Sequence, residues 1–444
     1  DGSNGGTASD GFPDGFAYRG ADNSGDFTGV GLGNWYANAA NVSLLSGNGD
    51  IIVRGESGGN CGQPGVAAQP NLVVNSGTGI IRILGKANTG VGFETGFASA
   101  ALGNTAITSA STTIPAISIE GTSAGANIGI ILEWENVGQN LIQSTATTGG
   151  GIYITGTGAA ASASSGIRAN AATLYILSTV GDIVITGNAG TDAINDLQLN
   201  STTIIGGFTG SATVNGIPVS TATSRANISL LTHGGFEPGG AITITTGSST
   251  VPGGDVLVAT NVDNVDGGHI YTKGTFTVNS NGGDITFGGG DINGSGFSLG
   301  SQQNRSLGFR SDNNFTLNSA GGDIVMRCKG AARNDVPNGW DACGISASGG
   351  LFNLNSGTGI INLQGFSQQT NTGTSEAFGI IFRGSGARIT SANTTSNAIT
   401  ILGNASAAKS SYAEGIIFAS SGTFEATATA SGGGITVSSL SGSN

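Results

Sequence analysis

The sequence predicts an all-β chain that folds as a parallel β-solenoid with three strands per coil and about twelve coils. Three observations lead to this prediction. A short segment of the type Ile-x-Ile-x-Gly, closed by a small residue, recurs with a spacing of about 36 residues. Two further alternating segments precede each copy, and turns rich in Gly, Ser and Asn separate them. Alternation with a period of 2 gives each segment one inward apolar row and one outward polar row, as a half-buried strand requires.

The third strand of the coil has twelve predicted copies along the chain. They lie at Ile51–Gly55, Ile81–Gly85, Ile117–Gly121, Ile152–Gly156, Ile183–Gly187, Ile204–Gly207, Ile242–Thr246, Ile285–Gly289, Ile324–Cys328, Ile361–Gly365, Ile399–Gly403 and Ile435–Ser439. The shortest spacing, from Gly187 to Gly207, predicts a coil without an inserted loop. Longer spacings add residues mainly between a third strand and the next first strand, as in Lys329–Ala342. Insertions at one point of each repeat predict loops stacked along one edge of the solenoid.

The composition supports a packed repetitive chain and argues against several functional classes. Gly accounts for 81 of 444 residues and charged residues for 9%, without the strict Gly-X-Y period of collagen. The formal net charge is −12 and no basic patch is present, so we expect no nucleic-acid partner. No apolar run reaches the ~18 residues that a membrane helix needs, so we expect no membrane insertion. Many Gly, Ser, Thr and Asn with few Lys favour a secreted surface protein.

We predict two segments, an N-terminal loop or end segment at 1–30 and one continuous solenoid domain at 31–444. The chain starts at Asp1 without a signal-peptide pattern, which indicates a processed product or an excised fragment. Neither end carries an evident cap over its strand edges. We therefore expect a segment of a longer array or a subunit that stacks end to end.

Asparagines close several of the predicted second strands. Each precedes a serine, and the last three follow the coil spacing: Asn75, Asn279, Asn318 and Asn355. Asn tolerates turn geometry, and stacked Asn side chains can hydrogen bond along the axis. The pattern predicts a structural ladder, with ligand binding as the alternative.

One edge loop contains the candidate binding residues Trp340, Asn338 and Asp341. An exposed Trp on a loop can stack on a sugar ring or anchor a partner protein. Folding of Trp340 back over the solenoid edge is the alternative. Because loops on a rigid scaffold often carry binding, we predict that this loop contacts a ligand.

Three cysteines lie in or beside the edge loops. Cys328 closes a third strand, and Cys343 immediately precedes the next first strand, so the two flank one loop. We predict a disulfide between them, as an oxidising compartment allows. Cys61 is left over, either as a free thiol or as a partner for another chain. A metal site is not expected there, because no His lies nearby.

Two acidic patterns raise the questions of calcium binding and catalysis. Asp284 and Asp323 both follow Gly-Gly at the start of adjacent third strands, where carboxylates ~5 Å apart repel by about 1–3 kcal/mol. Bound Ca²⁺ would relieve this repulsion, but splaying into solvent does so more simply, and we expect neither a metal nor a cofactor.

Asp263, Asp266 and His269 are close in sequence without the Arg and Lys of β-helix pectinases. Hydrolysis needs a carboxylate pair, and the acidic residues of this chain are scattered without an Asp-Asp pair. We therefore predict no enzyme and keep a polysaccharide-acting enzyme as an alternative.

The repeats Leu354–Gly365, Val74–Gly85 and Leu317–Gly330 resemble those of filamentous-haemagglutinin-type adhesins, large bacterial exoproteins secreted by the two-partner route. The resemblance extends over nearly the whole chain from about Gly31. The family's secretion domain, with its Asn-Pro-Asn-Gly motif, is not in this sequence, which fits an internal segment of a giant exoprotein.

This resemblance implies a right-handed β-helix on the bacterial cell surface with a role in attachment, biofilm or cell–cell contact. It supplies no catalytic residues. The partner is open between a glycan, a cell-surface protein and copies of the chain itself. A self-assembling extracellular filament or sheath subunit is the first alternative function.

Overall fold

A computed structural model describes most of the chain, and every described element is a strand or a turn, with no helix in this part. The described residues are 17–18, 29–32, 41–57, 64–68, 71–87, 95–99, 103–125, 128–132, 138–159, 165–189, 195–220, 223–265, 267–300, 307–331, 342–368, 376–409, 412–419 and 422–441. They form a parallel β-solenoid of about ten turns, with three sheets that each take one strand per coil. The predicted all-β parallel solenoid with three strands per coil is thus confirmed, with about ten turns where about twelve coils were predicted. Among these residues there is no helix long and apolar enough to cross a bilayer.

The chain divides into two compact units, unit 1 at 1–222 and unit 2 at 223–444. Each unit contains strands of all three sheets. Within the predicted end segment, Ala17–Tyr18 pairs in parallel with Gly55 and Glu56 of the third sheet. The continuity of one domain over 31–444 and the right-handed sense of the coil stay predictions.

The third sheet follows the Ile-x-Ile-x-Gly pattern. In unit 1 its strands are Ala17–Tyr18, Ile51–Glu56, Ile81–Ala87, Ile117–Ser123, Ile152–Thr157 and Ile183–Asn188. In unit 2 they are Ile228–Thr232, Val256–Thr260, Ile285–Gly289, Ser298–Leu299, Ile324–Lys329, Ile361–Phe366, Ile399–Asn404 and Ile435–Leu440. Equivalent residues of neighbouring coils face each other without a shift, as Ile81 does with Ile117, so each position forms a column along the axis.

The first and second sheets are built in the same way. First-sheet strands are Val30–Leu32, Val66–Ala68, Phe97–Ser99, Ile130–Leu132, Ile167–Ala169 and Leu197–Leu199 in unit 1, and Ile270–Thr272, Phe309–Ser311, Ile345–Ala347, Glu376–Phe382 and Tyr412–Phe418 in unit 2. Second-sheet strands are Val42–Leu45, Leu72–Asn75, Thr105–Ser109, Gln139–Ser144, Thr173–Ser178 and Thr202–Gly206 in unit 1, and Ile242–Thr245, Phe276–Asn279, Phe315–Asn318, Leu351–Asn355, Gly386–Ser391 and Thr423–Ala428 in unit 2.

Two of the predicted third strands belong instead to the second sheet. Ile204–Gly207 falls in the strand Thr202–Gly206, which pairs with Thr173–Ser178. Ile242–Thr246 falls in the strand Ile242–Thr245, which pairs with Phe276–Asn279. The true third strands of this region are Ile228–Thr232 and Val256–Thr260, which pair with each other. The alternation that identified these segments is shared by second and third strands, so it did not distinguish them.

The short coil predicted between Gly187 and Gly207 therefore does not exist, because Gly207 does not close a third strand. The shortest coil described runs instead from Ile228 to its partner Val256. In that coil only residues 233–235 separate the third strand from Phe236, which replaces the first strand with a single bridge to Ile270. A coil almost without an edge loop therefore does exist, but not where the spacing had placed it.

Apolar columns fill the interior of each unit. In unit 2 the rings of Phe276 and Phe315 stack at 5.6 Å, and those of Phe315 and Phe352 at 5.3 Å. All three are fully buried, and Phe382 and Phe424 continue the aromatic packing at 5.4 Å. Each coil bonds only to its neighbours, so such columns stabilise the stack coil by coil.

Unit 1 also carries a β-hairpin, Thr213–Val214 paired with Ile217–Pro218, that covers the outer face of its second sheet. Its apolar residues Val214 and Ile217 belong to a hydrophobic cluster drawn from several coils. The other members are Ala106, Leu141, Tyr175, Leu177, Val219, Ile204, Phe208 and Ala212. Asn215 at its tip donates through Nδ2 to the carbonyl oxygens of Leu72 at 3.0 Å and Asn104 at 2.6 Å. The hairpin thus ties together coils that are distant in sequence.

Candidate functional site

The edge between the third and first sheets is the place where most of the length variation enters the coil. In unit 2 the connections at this edge include the long segments 290–308 and 330–344, the first of which contains the short third-sheet strand Ser298–Leu299. By contrast, the first-to-second connections of the same unit are all short, as 273–275 and 312–314 show. The predicted loop edge is therefore present. Two exceptions follow second strands: the segment that holds the hairpin of unit 1, and the connection 246–255 of unit 2, which is longer than the equivalent 280–284.

Paired glycines close the neck of six loops at this edge. A Cβ placed on Gly85, at the end of a third strand, would lie 1.8 Å from the carbonyl oxygen of Gly96, at the start of the next first strand. A Cβ on Gly96 would in turn lie 2.1 Å from the backbone nitrogen of Thr122 in the next coil. Five further pairs show the same approach at 2.1–2.2 Å: Gly55 with Gly65, Gly121 with Gly129, Gly156 with Gly166, Gly365 with Gly379, and Gly403 with Gly415. Only glycine allows backbones to meet this closely.

Axial hydrogen bonds hold these necks in place. The Gly65 N–H donates to the carbonyl of Thr95, and the Val66 N–H donates to that of Gly96, both at 2.9 Å. Because the two ends of the loop are fixed against each other and against the next coil, the residues between them can change in number without moving the sheets. The edge is therefore a scaffold on which loop length and sequence vary freely.

The loop with the predicted ligand residues leaves the edge at a different closed point, which is formed by Gly330 and Ala342. Trp340, Asn338 and Asp341 themselves lie outside the described residues, as does Cys61. The flanking residues Ala331 and Ala342 are buried, and a Cβ on Gly330 would lie 2.6 Å from the Ala342 carbonyl oxygen. The loop 332–341 thus begins and ends at one closed point on the edge.

The structure corrects the predicted disulfide at this neck. Cys328 and Cys343 are both buried, and no disulfide joins them. Cys328 takes the glycine position of its column, opposite Gly365, and its thiol hydrogen bonds with Ser298 on the adjacent strand. Burial raises the pKa of the Cys328 thiol to about 12, so the thiol stays protonated and unreactive at neutral pH.

The predicted asparagine ladder occupies one column of the second sheet. Three of its members face one another in successive coils: Asn279, Asn318 and Asn355. Two members bond within their own turn, since Asn75 Oδ1 accepts from the Gly77 N–H at 2.8 Å and Asn355 Oδ1 accepts from the Gly357 N–H at 3.2 Å. At these two asparagines the bond closes a turn and does not run along the axis.

Serines at the same corner supply axial bonds instead. Ser109 donates from Oγ to the carbonyl of Gly79 in the preceding coil, and Ser391 does so to Gly359, both at 2.8 Å. The serine at the end of these second strands therefore links coils, a function that the sequence pattern had suggested for the asparagine.

A column of acidic residues stands at the entry to the third sheet of unit 2. The Asp284 N–H donates to Asp255 Oδ1 at 2.8 Å, and the Asp323 N–H donates to Asp284 Oδ1 at 2.7 Å. The Ile360 N–H donates in turn to Asp323 Oδ1 at 2.9 Å. Each carboxylate thus accepts a backbone N–H from the next coil, which stabilises its charge without a cation.

Of the residues considered for hydrolysis, the two that the structure describes, Asp263 and His269, have different partners. His233, not His269, lies beside Asp263, with Nδ1 3.1 Å from Oδ2. His269 is buried and contacts Glu237, with Nε2 2.8 Å from Oε1. Asp266 lies outside the described residues. The His–Glu contact was not predicted, because its two residues are 32 positions apart in sequence and meet only through the stacking of coils.

This contact is the centre of an ionic cluster, formed by the buried residues Glu237 and His269 and by Lys273, whose side chain is 43% exposed. Lys273 Nζ lies 2.6 Å from Glu237 Oε2, and the Glu237 side chain is only 3% exposed. Burial alone would raise the pKa of Glu237, but hydrogen bonds and charges from His269 and Lys273 outweigh it and lower the pKa to about 2. Since Glu237 and His269 are both closed off from solvent, they stabilise the fold and are not placed to contact a ligand.

No family model, curated protein or solved structure matches this chain at a significant level.

Proposed function

We propose that this chain is an extracellular structural and adhesive rod of a large bacterial exoprotein and that it is not an enzyme. Its edge loops attach it to a glycan, to a cell-surface protein or to copies of itself. The observation that carries the proposal is the closed glycine neck at the base of the loops, seen where Gly85 meets Gly96. A scaffold that fixes the ends of loops while leaving their content free is suited to presenting binding segments. The resemblance of the repeats to filamentous-haemagglutinin-type adhesins supports the same function and location.

The loop at 332–341 provides the first test of this proposal. A variant that joins Ala331 to Ala342 through two glycines should keep the melting temperature of the chain within about 2 °C, because the neck closes without the loop. The short coil from Ile228 to Val256 shows that this fold accommodates a coil with almost no edge loop. Adhesion of beads coated with the variant to a mucin surface, and to a surface of the chain itself, should fall at least about fivefold on the surface that the loop recognises.

The matched control shortens a turn on another corner. Deleting Ser249 and Thr250 from the second-to-third connection of unit 2 removes exposed residues away from the loop edge and should leave adhesion unchanged. Early melting of the loop variant would show that the loop is structural. Unchanged adhesion of the loop variant on both surfaces would place attachment elsewhere and contradict the proposal for this loop.

A filament or sheath subunit is the second candidate, and one observation favours it. In the strand Ile435–Leu440, residues of the inward-facing column are open to solvent, with Ile435 42% and Val437 50% exposed. An open strand edge of this kind can pair in parallel with a strand of a second copy. Concentration-dependent growth of continuous fibres from the purified chain would favour the filament over the adhesive rod.

A further inference from the structure

The outer face of the third sheet in unit 1 contains a cleft of about 290 Å³ that none of the preceding sequence patterns indicated. It is lined by Arg54, Arg82, Leu84, Pro115, Ser118, Glu120 and Tyr153. Most of these residues come from four successive strands, so their positions are fixed by the register of the solenoid.

The cleft exists because a small residue stands between two large ones. Arg82, Ser118 and Tyr153 occupy the same outward column in adjacent coils. Strands lie ~4.8 Å apart, so Arg82 and Tyr153 flank a gap of about 10 Å between their backbones. Ser118, which is almost fully buried, forms the floor. A gap of this width admits one flat ring between the guanidinium and the phenol.

The second outward column supplies one wall. Arg54, Leu84 and Glu120 follow one another in it. Ser118 donates from Oγ to Glu120 Oε1 at 3.1 Å, which orients that carboxylate beside the floor. Pro115, from the preceding turn, lines the cleft as well. The cleft therefore combines two cations, one oriented acceptor and one aromatic ring.

Two side chains of the cleft have unused binding capacity. Within the part of the chain that the structure describes, Arg82 makes no hydrogen bond or ion pair, and the ring of Tyr153 contacts no other aromatic ring. A guanidinium presents planar paired donors that match a carboxylate. An aromatic face gives an apolar platform for the C–H face of a sugar ring.

We propose that this cleft binds one carboxylate-bearing sugar residue of an acidic polysaccharide. The ring stacks on Tyr153, the carboxylate pairs with Arg82, and Glu120 accepts hydrogen bonds from ring hydroxyls. The local excess of cations, two arginines against one glutamate, favours an anionic ligand on a chain whose net charge is −12. The site lies on a sheet face, so the inference does not depend on adhesion through the edge loops.

The test uses a galacturonic acid trisaccharide and its methyl ester, which keeps the rings but removes the charges. Titration of the full chain, followed by ligand-observed NMR, should show binding of the acid and at least about tenfold weaker binding of the ester. Arg82→Gln and Tyr153→Leu should each weaken binding of the acid about tenfold. Arg388→Gln is the matched control, because Arg388 is an exposed arginine of unit 2, and it should leave binding unchanged.

Several results would overturn the inference. Equal binding of acid and ester would show that the carboxylate is not recognised. Equal losses for Arg82→Gln and Arg388→Gln would show general attraction to positive charge, and no binding of the acid at millimolar concentration would reject the site. Melting temperatures of the variants exclude misfolding as a cause, since both altered side chains lie on the outer face. Edge-loop adhesion is unaffected by these outcomes, so the two proposals fail separately.

Discussion

Replacement of Gly85 by alanine is expected to destabilise the folded chain by about 3 kcal/mol or more. Overpacking that side chains can absorb costs about 1–3 kcal/mol, but the added Cβ would lie 1.8 Å from a backbone oxygen of Gly96. The backbone of one coil would have to move, and its axial bonds to the neighbouring coils would weaken with it. Urea unfolding followed by circular dichroism measures the change.

Gly49→Ala is the matched control for this substitution. A Cβ on Gly49 would have its nearest neighbours at 3.9 Å, in ordinary contact with the Ser46 side chain. Alanine there reduces the freedom of the unfolded chain and should leave stability unchanged or raise it by up to about 1 kcal/mol. Similar midpoints for both variants would contradict the closed neck.

The second large effect is expected at the ionic cluster of Glu237, His269 and Lys273. Glu237→Gln should destabilise the folded chain by about 3 kcal/mol at pH 7, because it leaves His269 in the interior without its carboxylate partner. The pKa of Glu237 is about 2 in the folded chain, below the ordinary value of 4.5. Its stabilising contribution is thus complete above pH 4.5 and is lost as the pH falls from 4.5 towards 2.

The stability difference between wild type and Glu237→Gln should therefore shrink as the pH falls below 4.5. Glu425→Gln serves as the control, since the Arg388–Glu425 pair is about half exposed with Nε and Oε2 3.7 Å apart. A surface pair of this kind contributes less than about 1 kcal/mol. A difference at Glu237 that stays constant down to pH 2 would contradict the account of its pKa.

The fold class and the loop edge could both be predicted from the sequence, because they depend on local patterns. Period-2 alternation marks a strand wherever it occurs, and variable spacing between two fixed strands marks a loop. The identity of a strand within the coil is harder to predict. The prediction of third strands was correct where glycine closes the strand, as at Gly85, and wrong at Ile204 and Ile242.

That region lacks the residues on which the prediction relied. The true third strands end in Thr232 and Thr260, so the closing glycine is absent. One signal in the sequence was available. Thr246 precedes a Gly-containing turn and donates from Oγ1 to the Gly254 carbonyl at 2.7 Å. Ser356 makes the same kind of bond within its own turn, to the Gly359 carbonyl at 2.6 Å. A hydroxyl residue at the end of the alternation therefore identifies a second strand better than the alternation itself.

Two further features differ in how far the sequence reveals them. The hairpin of unit 1 has a visible signal, because Asn215-Gly216 is the dipeptide favoured in a tight turn, and both residues have positive φ. The Glu237–His269 contact has no signal in the sequence, because it depends on the bridge between Phe236 and Ile270, which aligns two coils. Contacts of this kind follow from register, and register is set by the whole stack. The cleft at Ser118 likewise depends on the register of neighbouring coils and could not be predicted from the sequence.

Cryo-electron microscopy of the purified chain tests the central claim, a solenoid with its variable loops on one edge, most directly. We expect layers with the ~4.8 Å spacing of stacked strands and additional density leaving mainly from the corner between the third and first sheets. Protrusions spread equally over all three corners, or strands arranged as an antiparallel sandwich, would contradict it.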